Sequence, residues 1–150
     1  MSFYEILVLV HVLAAILGIG PGFILTITLT KAETMTELRH AFRIRHRLHR
    51  FVMIGGLLLF ITGFWMGIIH PYLFREGWYI VSILLFLIVL ASGPIFLAPI
   101  TKPIKKMLAD SHSEEIPPDY FSLSKRLYLL EHLTNALLLI IIILMIMKPF

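Results

Sequence analysis

Seven histidines and nine acidic residues are the groups in this 150-residue chain with acid–base or ligand chemistry to offer, and few of them lie within its apolar stretches. His11 is the outlier. It lies about eight residues into an apolar run, ~12 Å below the boundary at the ~1.5 Å rise of a helix. Leu7, Val8, Ala14 and Ala15 occupy its i−4, i−3, i+3 and i+4 positions, with no charged partner on its own helix. A titratable side chain at such depth in hydrocarbon is expensive to keep, which makes it a functional candidate. Glu131 and His132 open the last apolar run, followed by Thr134 and Asn135, while Thr62, Ser82 and Ser92 add hydroxyls to the middle runs. His46 and His49 share a helical face ahead of the second run, and His70 closes that run beside Pro71.

For His11 two readings stand side by side. A neutral imidazole can hydrogen-bond to a neighbouring helix, or it can ligate a metal. Zinc needs three or four ligands converging at one depth, and no such cluster accompanies His11. Haem iron needs only an axial imidazole, and small alanine neighbours leave room for a planar macrocycle. The chain has no cysteine, which excludes disulfides, thiolate chemistry and covalent haem attachment, so the haem would be b-type. His132 is a candidate second axial ligand, although it differs from His11 by very roughly 8 Å in depth across a ~30 Å hydrocarbon core. Helix tilt or a kink at Pro21 would have to close that gap. His46 and His49 are either interfacial basic residues or a metal pair on the inner side. No Gly-x-Ser-x-Gly elbow, His-Glu-x-x-His pair, phosphate-binding loop or intramembrane carboxylate pair is present. Catalysis on a porphyrinogen or quinone-like substrate would require Glu131 and His132 as proton acceptors, and whether the chain is an enzyme stays open.

The elements that must position these groups are legible from composition. The chain is 59% hydrophobic and 15% charged, with the apolar residues in long blocks, so lipid is the expected solvent. Four blocks reach the ~20 residues that span a bilayer as a helix: about 3–30, 51–74, 77–101 and 127–147. The alternating pattern of barrel strands is absent. One all-α four-helix membrane bundle over 1–150 follows, with no second domain. Lys31, Arg39, Arg43, Arg45, Arg47 and Arg50 crowd the first loop; Lys102, Lys105, Lys106, Lys125 and Arg126 crowd the third. By the positive-inside rule both loops are cytoplasmic and both termini extracytoplasmic, as expected for a multi-pass cell-membrane protein. The same topology explains the formal charge of +4 without nucleic acid. The opening run lacks a basic flank and is too long for the core of a cleavable signal peptide.

Within these elements, Ala41, Ile44 and Leu48 recur at helical spacing, so HAFRIRHRLHR from about residue 40 is expected to extend the second helix inward. Pro21, set among Gly18, Gly20 and Gly22, is expected to kink or loosen the first helix. Gly56, Gly63 and Gly67 share one face of the second helix and permit close approach of a backbone or a flat ligand. Pro94 and Pro99 should bend the inner end of the third. The segment DSHSEEIPPD, with Pro117-Pro118, reads as a solvated connection.

The opening VLVHVLAAILGIGPGF, the RIRHRLHRF approach to the second helix and the closing NALLLIIIILMIMKPF resemble a group of small membrane proteins. That group takes in an uncharacterised family of predicted integral membrane proteins, the HemJ-type protoporphyrinogen oxidases and the CopD membrane domain. In HemJ-type proteins the first-helix histidine is taken as a b-type haem ligand, and the matching residue is His11. Their functional third-helix lysine has no counterpart, since 77–101 is free of Lys and Arg up to Thr101. The resemblance therefore implies haem b more than porphyrinogen oxidation. On this reading His11 is the axial ligand, Gly18, Gly22, Gly63 and Gly67 admit the macrocycle, and Arg47 and Arg50 supply electrostatics, in a protein of electron transfer or haem handling. The alternatives are a non-catalytic scaffold or subunit, packing on itself as a homo-oligomer or on a partner membrane protein, and a small oligomeric transporter.

Overall fold

The computed structural model describes residues 2–150, with Thr28 described by its backbone alone. Five α-helices occur in the order α1 (Phe3–Thr30), α2 (Met35–Ile69), α3 (Gly77–Ser92), α4 (Ala98–Asp110) and α5 (Pro118–Met147). A 3-10 turn, Pro71–Arg75, separates α2 from α3, and a π-helical turn, Gly93–Leu97, joins α3 to α4. Since α3 and α4 run on as one span, four helices are long and apolar enough to cross a membrane. No strand occurs among the described residues. The fold is a four-helix membrane bundle.

Local chemistry sets the helix ends. Ser2 and Glu5 form a capping box at the start of α1, each side chain meeting the other residue's backbone N–H. Thr34 accepts from the Glu37 N–H, so α2 starts at Met35, five residues ahead of the expected extension. The loop before α5 is tethered to this same turn: Thr36 donates to Glu114 at 2.7 Å, and the Met35 N–H bonds to the Glu114 carbonyl. These Thr36 contacts hold the exposed Glu114 carboxyl below the usual glutamate range. Arg39 satisfies carbonyls at the end of α4, Leu108 and Ser111. At the far end the terminal residues fold back, and the Phe150 carbonyl accepts from the Trp78 N–H at the start of α3. Lys148 takes the left-handed conformation there and lies over the Trp78 ring.

Prolines act differently in the two long rods. The α-helix stays continuous through Pro21, whereas Pro94 falls inside the π turn, whose wider winding accommodates a residue that cannot donate to the i−4 carbonyl. Ile104 and Leu108 of α4 contribute to the core of the basic end.

Packing is uneven. Helices α1 and α2 form the closest pair and α3 packs on α5, while the two pairs meet more sparsely. Buried side chains fall into three tiers along the bundle. The basic end holds Leu29, Met35, Leu38, Phe42, Ile104 and Leu127; the middle holds Ala14, Ile19, Leu59, Leu138 and Ile141; the opposite end holds Leu73, Trp78 and Tyr79. Leu13, Ile54, Leu84, Ile88, Leu139 and Ile143 are exposed apolar side chains, as lipid contact requires. Between the tiers lie two cavities.

Candidate functional site

The outer cavity, about 540 Å³, lies between the middle tier and the end opposite the basic loops, and its walls are nearly all apolar. His11, Tyr79 and Ser82 are its polar side chains. Tyr79 donates to the Gly63 carbonyl at 2.6 Å, and Ser82 donates to the Trp78 carbonyl at 2.7 Å, so both hydroxyl protons are committed to backbone. His11 Nδ1 lies 2.8 Å from Thr62 Oγ1, and the Thr62 hydroxyl sits 2.6 Å from the Leu58 carbonyl oxygen. Two oxygens that close require the threonine proton between them. Thr62 therefore accepts from His11, which assigns the imidazole proton to Nδ1 and leaves the Nε2 lone pair unprotonated. The imidazole also makes a hydrogen bond with the Leu59 backbone, and the half-buried ring borders the cavity.

Glycine makes this arrangement possible at one position. A Cβ on Gly63 would stand 3.2 Å from His11 Cε1, so the bare backbone lets the ring lie against α2. Gly67 has another use: its Cβ would meet Tyr79 and Phe74 side chains at 2.4–2.8 Å, so it packs the outer tier and lines neither cavity. Gly18 packs on the α2 backbone at Gly55 while also bordering the second cavity, and Gly22 borders that cavity beneath Asn135.

The second cavity, about 480 Å³, lies between the basic tier and the middle tier. The two cavities share Ile19, Leu59 and Phe86 as their dividing wall. Here Arg45, His46, His49, Lys105, Glu131 and Asn135, with the hydroxyls of Ser92, Thr101 and Thr134, stand among otherwise apolar walls. Arg45 and Glu131, 11% and 7% exposed, form a buried ion pair. Thr26 donates to the other Glu131 oxygen at 2.6 Å, so both carboxylate oxygens are held.

The structure does not assemble every residue singled out in the sequence. His132 is exposed and borders neither cavity, one residue and about 100° around the helix from Glu131. It is not brought to His11, and Glu131 is partnered by Arg45 rather than by His132. Arg47 and Arg50 are exposed and lie ~20 Å or more along α2 from the level of His11, taken as the Gly63 turn. They cannot serve electrostatics at the His11 cavity. His46 and His49 both border the basic-end cavity, and no group of three or more potential metal ligands occurs among the described residues. Arg45 and Thr26 were missed. The signal for Arg45 was its place in a stripe running Leu38, Phe42, Arg45, His49, Val52, Gly56, Leu59, at helical spacing one step off the Ala41, Ile44, Leu48 row.

Against known proteins, residues 5–149 match a family model described as predicted integral membrane protein, DUF2269. The chain belongs to the DUF2269 family. No curated protein and no solved structure matches this DUF2269 protein. The family match agrees with the expected kinship to small integral membrane proteins; nothing in it relates the chain to HemJ-type oxidases or CopD. Membership in DUF2269 establishes residence in a bilayer and leaves function to the geometry of the two cavities.

Proposed function

We propose that this protein binds b-type haem in the outer cavity, with His11 Nε2 as an axial ligand, for electron transfer or haem handling. The observation that carries the reading is the hydrogen-bond order at His11. Thr62 accepts from Nδ1, so the imidazole is oriented from behind and offers its second nitrogen beside an apolar cavity of about 540 Å³. Such a partner on the far nitrogen is the arrangement that fixes ligating histidines. The absence of cysteine suits non-covalent attachment. No cation lines this cavity, so haem carboxylates would have to emerge at its outer end. The bound iron would supply a one-electron couple; the chain would supply the ligand, its tautomer and a dry apolar surround.

The test is spectroscopic. Protein purified from haem-replete cells is expected to carry a Soret band that His11→Ala abolishes. Thr62→Val should weaken haem affinity by about 10–100-fold, the usual effect of losing a ligand's outer partner. Helicity measured on the same samples separates lost ligation from lost folding. Wild-type protein that shows no Soret band and takes up no hemin on titration removes the reading.

The basic end is taken as cytoplasmic, on the crowding of Lys and Arg there. Because native cysteine is absent, single cysteines report topology cleanly. Ser2→Cys is expected to react with an impermeant maleimide in intact cells, and Ser113→Cys only after lysis. The reverse pattern would invert the orientation. A rival scaffold or oligomeric role is favoured by one observation, that only 11% of the most apolar stretch of the third span is buried within the chain. A strictly monomeric protein in mild detergent would count against it.

A further inference from the structure

The basic-end cavity has a polarity that the outer one lacks. Its rim is built from two helices, with Arg45, His46 and His49 on α2 and Lys105 on α4, and its formal cations are Arg45 and Lys105. Its interior is apolar, with Val52, Leu90 and Phe86 among the lining residues. A Cβ added to Gly56 would reach only ordinary contact with Leu90 and Phe86, at 3.7 and 4.0 Å, so the cleft there is walled by backbone on one side and side chains on the other.

Charge at the rim is unbalanced. Arg45 and Lys105 are fixed cations, and the single lining carboxylate, Glu131, already has both oxygens engaged by Arg45 and Thr26. The rim therefore keeps a surplus positive charge, which an anionic oxygen suits best.

Depth selects the kind of anion. The rim lies just before the apolar block that begins at Phe51, the level at which phospholipid headgroups sit, while the cleft continues into the hydrocarbon layer. A free anion would fill the mouth and leave the apolar interior empty. The geometry points to this cavity as a binding site for an anionic phospholipid, its phosphate held by Arg45, His49 and Lys105 and an acyl chain lying in the cleft past Gly56. The site is independent of His11 and of the haem reading, since a wall of Ile19, Leu59 and Phe86 stands between the two cavities.

The test uses the full chain in phosphatidylcholine nanodiscs containing spin-labelled phosphatidic acid or, in parallel, spin-labelled phosphatidylcholine. Phosphatidic acid is expected to show a motionally restricted population in excess of phosphatidylcholine. The double variant His49→Gln/Lys105→Gln should lower that selectivity about tenfold, in line with losing the charge-assisted contact of Lys105. Gly56→Leu, which fills the cleft, should reduce the restricted population while leaving the cationic rim intact. His11→Ala should leave the selectivity unchanged. Equal restriction of both lipids, or selectivity that survives both the rim variant and the cleft variant, means annular contact only and overturns the proposal. Displacement of the labelled lipid by inorganic phosphate would identify a soluble-anion site and overturn it as well. Arg45 is left in place because its loss would unpair Glu131, and the rim variant, at a half-buried and an exposed residue, tests the site even if Gly56→Leu fails to fold.

Discussion

Alanine at Arg45 or at Glu131 is expected to destabilise the bundle by about 3–5 kcal/mol, because either change strands a buried charge. The two side chains are 11% and 7% exposed, so water cannot replace the missing partner as it does at a surface pair. The pair also ties α2 to α5 across the sparse junction between the two helix pairs, and Thr26 brings α1 into the same contact. Replacing both partners at once, as Arg45→Met with Glu131→Leu, removes the charges together and should recover most of the loss. Thr26 can then turn its hydroxyl to its own helix. Thermal and denaturant unfolding followed by circular dichroism in mild detergent would give all three values, and the shortfall of the double variant from the sum of the singles measures the coupling. If the single variants unfold together with the wild type, the pair is solvated and holds nothing.

Gly55→Leu should be comparably damaging for a steric reason. A Cβ at residue 55 would lie 2.4 Å from Gly18 N and 2.5 Å from Gly18 Cα, and 2.9 Å from the Ala14 carbonyl. All three atoms are backbone, so no side chain can swing aside, and α1 must move away from α2. Even Gly55→Ala is expected to cost about 1–3 kcal/mol, the range for overpacking a tight contact. Gly20 is the control. Nothing lies within 4 Å of its added Cβ, so Gly20→Ala should be neutral or gain up to ~1 kcal/mol from helix propensity. The same unfolding measurements decide it. Equal behaviour of Gly55→Ala and Gly20→Ala would mean that the two backbones do not touch in the membrane.

The two cavities differ in how far the sequence announced them. His11 stood out because a single polar ring in a run of Leu, Val and Ala is conspicuous without knowing its neighbours. Its partner was invisible: Thr62 lies 51 positions away, and it differs from Ser82 or Ser92 only in which helix faces α1. Arg45 was hidden for the opposite reason, one arginine among five between residues 39 and 50. Ile44, whose spacing helped to mark the helix, is 37% exposed, whereas Phe42 is buried and Arg45 nearly so. Gly55 was passed over for its neighbour Gly56, and a step of one residue turns the side of the helix by about 100°.

The sequence by itself determined that the chain lives in lipid, that it crosses as four helices and that its basic residues gather at one end. Those are properties of segments, set by length, apolar content and the need to satisfy every backbone group within the helix. Only the tertiary structure decided which faces meet, that His11 donates to Thr62, that Arg45 reaches Glu131 and that His132 reaches neither. In water the inward face of a helix is marked by its apolar stripe. In a bilayer the outward face is just as apolar, so that contrast vanishes, and inward positions are fixed by backbone fit and a few polar pairs that emerge once the helices are packed.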